Sequence, residues 1–554
     1  MARFCKLPVD VVALVAALVA VVAVRLPAMR HGMSFGEPSV YFHLGHRALD
    51  GAMPYRDYVF HLGPLPIYVD AAVQAGFGST YIASLVAGLA ITALRVLVIW
   101  MLARRLAGIA PALLLAVFCT VDPMFAAAHP TALAYTELLL ATTGLFFVLA
   151  TRAERELGWL ALAGTCTSLI LAVDPRSAVA ACLVMFAVTT GLLARKQWFT
   201  PRRYLAVWVG VAGGFVVVLA ALAATGVLAP ALDQMLVDTP GLDPSLERAI
   251  AQPAASWRGG LVLFVAVRAA IVAGTVYLAT RERISSATLG LLAVPIGCLV
   301  ALALRYAVLD LTTDVPRMFL LSVAVIAIVA PARVSAWFGI EPLVAVALAA
   351  LPLASDWALD LELPGRTPGD PASLVVGGIL IALASKALAA RAKTWICAAL
   401  AVAAAIHVGV AIYDANNPYG TDGTLDETTA SSSNRRLRGL RISESRLRAL
   451  DWLQHAVRVG STCFVYGDAP VLYTLLRCRN PTRLDLISNA TDDDLGEAIA
   501  VLESHPPDVL IVQEQLPVDP ALHAALHRLL PAYADRGVVA VDGGIRVYRR
   551  SRDR

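Results

Sequence analysis

An α-helical polytopic membrane protein with a small α/β domain at its C-terminal end is the class predicted here, on three observations. Of 554 residues, 58% are hydrophobic and only 16% charged, against about 25% charged in ordinary soluble domains. The apolar residues fall into runs near the roughly 20 needed to cross a bilayer, and mean hydropathy is +0.70. The pattern then changes after Tyr413, where polar and globular composition takes over. These observations divide the chain into a transmembrane domain over 1–413, a linker over 414–441 and an α/β domain over 442–554. The net charge of +4, dispersed along the chain, is too mild for a nucleic-acid partner.

The N-terminal run Val9–Met29 resembles a signal peptide at first sight. Its apolar part is long for an h-region and no small-x-small cleavage site follows it, so it is read as a first span. The further expected spans are Thr80–Arg104, Ile109–Val121, Thr131–Thr151, Gly158–Val173, Ala178–Leu193, Tyr204–Thr225, Gly260–Ala279, Thr288–Tyr306, Phe319–Ala336, Pro342–Ser355, Ser373–Ala389 and Trp395–Tyr413. The total is about 13.

Loop charge sets the expected orientation. With the N-terminus in the cytoplasm, the inner loops are short and carry Arg104, Arg105, Arg152, Arg155, Arg195, Lys196, Arg202, Arg203, Arg281, Arg283, Arg333, Lys386, Arg391 and Lys393, as the positive-inside rule requires. The opposite loops (34–78, 122–130, 228–257, 308–316 and 356–371) are longer and hold more Asp, Glu, His and Pro. An odd span count puts the C-terminal domain on that outer side of a cell membrane.

After the Gly/Ser/Thr/Asn-rich linker, Asn434–Arg448 contains six arginines. They form either a solvated helix start or a contact with lipid phosphates. Expected helices are Ser443–Val457, Ala469–Leu476, Asp493–His505 and Pro520–Leu530. Expected strands are Ser461–Tyr466 and Asp508–Gln513, and Val538–Val547 reads as a hairpin turning at Asp542-Gly543-Gly544. The domain shows no GxGxxG, Walker or serine-nucleophile signature. Of the eight cysteines, Cys463 and Cys478 lie in this domain. They can pair in an oxidising compartment, and the sequence leaves that open.

The densest polar stretch is Ser34–Gly78, between the first two spans. It holds Glu37, His43, His46, Asp50, Arg56, Asp57, His61 and Asp70. A loop this polar against a membrane points to binding or catalysis. Pro38–Gly51 is expected to be an interfacial helix, with Tyr41, Phe42, Leu44, Ala48 and Leu49 on its lipid face. Tyr68 and Asp70 belong to a second one. His43, His46 and His61 have interfacial packing as their plain reading. Asp57 is either a loop partner of Arg56 or a catalytic acid. Glu37, followed by Pro38 at a helix start, is either a helix-dipole partner or a catalytic base.

The run GExxxYFHLGHRALDGAMPYRDYVFHLGPLPIY resembles the first extracytoplasmic loop of the GT-C superfamily, the integral-membrane glycosyltransferases that use lipid-phosphate-linked sugars. The likeness rests on Gly51, Pro54-Tyr55-Arg56-Asp57 and Gly63-Pro64-Leu65. It implies an inverting transfer of a hexosyl or pentosyl group from a polyprenyl-phosphate donor to a glycan, lipid or protein acceptor. A carboxylate in this loop would deprotonate the acceptor hydroxyl. Here that carboxylate is Glu37, with Pro38 where many relatives carry a second acid, and Asp57 is the further candidate. The departing phosphate needs cationic partners. Arg176, in Asp174-Pro175-Arg176, leads the candidates, with Arg305 and Arg317 at other span ends. Asp122 and His129 in the second outer loop, with His43 and His61, are candidates to orient the acceptor or to hold a divalent cation such as Mg2+ or Mn2+. Glu137, inside the fourth span, is costly unless it faces a cavity. A transporter or lipid-linked glycan flippase is the competing class, and it would show mid-span charges and two related halves. An inactive scaffold of the same fold is the third reading.

Overall fold

The computed structural model describes residues 39–106, 132–150, 156–195, 199–237, 314–338, 429–431, 434–438, 440–467, 469–487, 490–513, 520–539 and 544–551, with some isolated helical positions. The membrane part begins with two short helices, α1 (Val40–Leu49) and α2 (Leu65–Phe77). Five longer ones follow: α3 (Tyr81–Leu106), α4 (Ala132–Ala150), α5 (Glu156–Leu169), α6 (Pro175–Arg195) and α7 (Pro201–Ala224). α8 (Leu228–Leu232) runs into a π-turn over Asp233–Val237. α9 (Asp314–Val329) and α10 (Pro331–Phe338) complete the described helices of this part.

Three of these helices, over Tyr81–Leu106, Pro175–Ala194 and Pro201–Ala224, are long and apolar enough to cross a membrane. The expected spans Thr131–Thr151 and Gly158–Val173 are found as shorter apolar helices. The one expected over Phe319–Ala336 is two helices, because Pro331 has no N–H to continue the ladder and starts a new helix instead. The expected spans over 9–29, 109–121, 260–279, 288–306, 342–355, 373–389 and 395–413 lie wholly or largely outside the described residues.

Helix starts follow local chemistry. Thr200 caps α7, its side chain accepting from the Arg203 N–H, with Pro201 in the first turn. Asp174 does the same for α6. Its carboxylate accepts from the backbone N–H groups of Arg176 and Ser177 at 3.0 and 3.3 Å, and Pro175 follows it. Between α3 and α4, Arg95 and Glu137 form an ion pair at 2.7 Å, both almost wholly buried. A lone mid-span carboxylate is costly. Here the cost is met by an arginine from the next helix, a partner hidden inside what reads as a plain apolar run.

The C-terminal part opens with β1 (Thr429–Ser431) paired antiparallel to β2 (Arg441–Ser443), so the end of the expected linker is a strand. Then come α11 (Glu444–Ala456), β3 (Cys463–Tyr466), α12 (Val471–Leu476), α13 (Asp492–Ser504), β4 (Val509–Gln513), α14 (Pro520–Leu529), β5 (Tyr533–Val539) and β6 (Ile545–Arg550). The sheet order is β3-β4-β6-β5. β3 and β4 are parallel, while β6 runs antiparallel to both β4 and β5. β5 starts at Tyr533, earlier than the polar residues Asp535 and Arg536 suggest, because a bulge between Asp535 and Gly537 lets the strand carry them. Thr491 and Asp494 form a reciprocal capping box at the start of α13. Cys463 and Cys478 form a disulfide.

This domain sits on the first loop. Phe42, Tyr81 and Leu85 share one apolar core with Leu437, Leu450, Val471, Leu472 and Val509. The expected lipid face of α1 is therefore corrected. Phe42 and Leu44 are at most 1% exposed and Tyr41 is 5% exposed, packed against protein, while Leu49 alone of that set is exposed. An apolar stripe does not say whether lipid or a folded domain covers it.

Candidate active site at the first loop

The loop between α1 and α2 is a built structure. α1 ends at Asp50, and Gly51 takes φ +89°, with its N–H bonded to Ala48 O and that of Ala52 to Arg47 O. This is the left-handed glycine stop of a helix. Pro54-Tyr55-Arg56-Asp57 then turns, with Tyr55 itself at φ +68°, a conformation that costs of order 1–3 kcal/mol for such a residue. Several bonds hold it there. The Tyr55 N–H donates to Tyr58 O at 2.9 Å and its hydroxyl to Leu62 O at 2.7 Å. Its carbonyl accepts from Gln234 Nε2 at 2.8 Å and Arg483 Nη2 at 2.6 Å.

Asp57 serves this turn. One oxygen accepts from the Met53 N–H at 2.7 Å, and Arg56 grips both oxygens, Nε at 3.0 Å and Nη2 at 2.8 Å. The hydrogen bond from Arg56, helped by the Met53 N–H, holds its carboxyl down at about 2. A carboxylate that acidic is a weak base.

Gly63-Pro64-Leu65 has an equally direct explanation. The Gly63 N–H donates to Val173 O at 2.9 Å. A Cβ on Gly63 would lie 2.1 Å from the Ala172 carbonyl carbon, so no side chain fits. The loop backbone thus rests on the turn that leads into Asp174-Pro175-Arg176. Arg176 is half-buried in the first turn of α6.

The histidines and Arg47 face the C-terminal domain. His43 is 3% exposed, with Nδ1 2.7 Å from Thr474 Oγ1 and Nε2 3.3 Å from an Asp485 oxygen. Arg47 pairs with the same Asp485, donates to Asp57 O at 3.1 Å and lies 4.7 Å over the Tyr58 ring. Asn480 donates to the other Asp485 oxygen at 2.8 Å. Burial works against the Asp485 charge, but Arg47, His43 and Asn480 more than offset it and hold the carboxyl well below its ordinary range. His46 meets Arg436 at 2.7 Å. Burial first, and then the Arg436 charge, push it below the usual histidine value.

His61 is bound on both sides, Nδ1 3.1 Å from Gln234 O and Nε2 3.4 Å from Asp494. The Phe60 N–H donates to Gln234 Oε1 at 3.1 Å, and the Val59 N–H to Arg483 O at 2.9 Å. Asp70 is fully buried on α2, accepting from Gln74 Nε2 at 2.6 Å. Burial pushes its carboxyl up to about 6, against hydrogen bonds from Ser84 and Gln74.

The structure therefore gathers His43, Asp57 and His61 around one junction of loop, α6 turn, π-turn and C-terminal domain. Gln234, Asn480, Arg483, Asp485 and Asp494 complete that junction. Sequence reasoning did not single them out, since nothing local marks a residue whose partner is more than a hundred positions away. Glu37, Asp122, His129 and Arg305 lie outside the described residues. Arg317 falls in α9. Among the described residues, no group of three or more His, Cys, Asp or Glu side chains is placed to hold a metal ion, so they do not by themselves provide the expected Mg2+ or Mn2+ site.

No protein-family model and no curated protein matches the sequence. Solved structures do. The archaeal oligosaccharyltransferase AglB from Archaeoglobus fulgidus, in complex with an inhibitory peptide and a dolichol-phosphate, is similar over 99% of this chain and 75% of its own, with TM-score 0.52 and 12% identity. The Archaeoglobus fulgidus oligosaccharyltransferase with zinc and sulfate is similar over 90% and 68%, with TM-score 0.51 and 12% identity. ArnT from Cupriavidus metallidurans, bound to undecaprenyl phosphate, aligns over 98% of both chains with TM-score 0.44 and 13% identity. At such identity the likeness is one of architecture, and the chain shares the fold of the archaeal oligosaccharyltransferase.

Proposed function

We propose that this protein is an inverting glycosyltransferase that moves one sugar from a polyprenyl-phosphate donor to an extracytoplasmic acceptor. The observation that carries the reading is the fold shared with AglB over 99% of the chain. That neighbour was captured with a lipid phosphate and a peptide, the two classes of molecule this reaction needs. The loop fits the reading as well. It is held rigidly between the α6 turn and the C-terminal domain, as a site that must align donor and acceptor requires. The outward orientation agrees with the loop charges. A Cys463–Cys478 disulfide suits an oxidising compartment.

In this reading Glu37, just before α1, takes the proton of the acceptor hydroxyl, a contribution of about 10²–10⁴ in rate. Asp57, His43 and His61 keep the loop in shape and docked. Arg176, with Arg305 and Arg317, neutralises the phosphate as the glycosidic bond breaks. Arg176 is fixed for this by Asp174 and by the contact of Gly63 with the preceding turn. A divalent cation would have to come from residues such as Asp122 and His129, and no step here depends on one.

The test is lipid-linked product analysis in cells lacking the protein, complemented with wild type, Glu37→Gln or Arg176→Lys. Wild type is expected to restore the missing glycosylated product. Glu37→Gln, which keeps shape but takes no proton, is expected to lower turnover by about 10² or more. Arg176→Lys loses the bidentate fork and is expected to weaken donor affinity. Unchanged products on deletion would remove the assignment. A second reading is favoured by one observation: so many polar groups of the described loop are spent on docking the C-terminal domain. If deletion has an effect that Glu37→Gln fully rescues, the protein is a scaffold of this fold.

A further inference from the structure

The C-terminal domain carries a second cluster of titratable groups, remote in sequence from the loop and with no part in the reaction above. α14 is anchored to the domain core by Leu522, Ala525 and Leu526, each at most 3% exposed. His523 and His527 stand one helical turn apart on its exposed flank. Residues at i and i+4 lie one above the other on a helix. Their Nε2 atoms are 3.0 Å apart, with the ring planes at 75° and centroids 4.5 Å apart. Tyr466, at the end of the edge strand β3, places its hydroxyl 3.3 Å from His523 Nδ1.

We infer that His523 and His527 form a two-histidine chelate for a divalent transition cation of the zinc class. Zinc–imidazole bonds are about 2.0–2.1 Å. Two nitrogens on one ion then stand about 2.9 Å apart at a right angle and about 3.3 Å apart at the tetrahedral angle. The observed 3.0 Å falls in that interval, so the ion needs only a small ring adjustment to enter. Two histidines at i and i+4 on one helix face are the spacing by which helices grip zinc. Imidazole nitrogen suits Zn2+, Cu2+ and Ni2+ and disfavours Mg2+ and Ca2+. The Tyr466 hydroxyl beside Nδ1 of His523 can accept from an Nδ1–H, the supporting bond that metal-ligating histidines commonly make and one that leaves the Nε2 lone pair for an ion. Among the described residues no third His, Cys, Asp or Glu joins the pair, so the inference rests on these two side chains. The competing account is a plain N–H···N bond between the two rings, with no ion.

The experiment titrates Zn2+ alone into the full-length chain in detergent, free of any affinity tag, against a chromophoric chelator. His523→Ala and His527→Ala are compared with His455→Ala. His455 is an exposed helix histidine bonded to the Asp451 carbonyl, without a histidine neighbour at i+4. Alanine is the best helix former, so the helix survives each change. Wild type and His455→Ala are expected to show one site of equal affinity, and each of the other variants to lose at least tenfold. Cu2+ in the same site is expected to show two-nitrogen coupling in its electron paramagnetic resonance, falling to one in either single variant. Bound ion is also expected to raise the melting temperature of wild type, since a ligand held only by the native state stabilises it, and to leave that of the double variant unmoved. Equal zinc affinity in wild type and the double variant would overturn the inference, as would a two-nitrogen copper signal that survives loss of His523.

Discussion

Asp485 is where the first loop and the C-terminal domain are joined most tightly, and Asp485→Asn tests that junction. Its side chain is 1% exposed, with Arg47, His43 and Asn480 around it. Asparagine keeps an acceptor for Asn480 but removes the charge that Arg47 and His43 face. Hydrogen bonds to charged groups contribute about 1.5–3 kcal/mol each, and breaking a buried pair by removing one partner costs about 3–5 kcal/mol, because the other charge is stranded. Arg47 is 22% exposed, so water recovers part of this and the lower end, about 3 kcal/mol, is expected. That is about a hundredfold in the undocking equilibrium. The readout is hydrogen exchange on the full chain. The Val59 N–H, bonded to Arg483 O, is expected to exchange about a hundredfold faster, while the β3–β4 ladder keeps its protection. Arg47→Met in a double-mutant cycle is expected to show most of the loss as coupling with Asp485. Because the Asp485 carboxyl is held below its ordinary range, its contribution is present above that range and lost as pH falls through the lowered value, so acid should undock the domain. Wild-type exchange at Val59 in Asp485→Asn, together with no coupling to Arg47, would refute this account.

Two further perturbations probe the frame around it. Asp70, raised to about 6 by burial, favours the fold when protonated, an advantage lost as pH rises from its unfolded value near 3.9 through 6, at a cost of about 3 kcal/mol above that. Asp70→Asn is expected to raise the melting temperature at pH 8 and leave it unchanged at pH 4, and equal shifts at both pH values would contradict the assignment. Gly63→Ala places a methyl on the Ala172 backbone, with an expected overpacking cost of about 1–3 kcal/mol. It should also displace the turn before Arg176, lowering donor affinity in the lipid-linked product assay more than a comparable loss of stability elsewhere, such as Ile326→Val in the buried core of α9.

Much was determined by the amino-acid sequence alone, wherever one local property decides the outcome. Among the described residues the long apolar runs became helices, the form in which a segment satisfies its own backbone groups in a bilayer. Pro201 and Asp174-Pro175 start helices because cap chemistry acts within four residues, and Gly51 stops one for the same reason. Apolar runs at Cys463–Tyr466 and Val509–Gln513 became the parallel pair of strands β3 and β4.

What the tertiary structure decided is which partner each polar group meets. The stripe of α1 is covered by a domain four hundred residues away. Glu137 is tolerable because Arg95 lies opposite it on the neighbouring helix. His43 and His61 read in one dimension only as loop histidines, and the fold decides that they meet Asp485, Gln234 and Asp494. Periodicity and capping act over a few residues and leave their mark in the sequence. A buried charge must be compensated in space, and the chain can supply that compensation from any distance along its length.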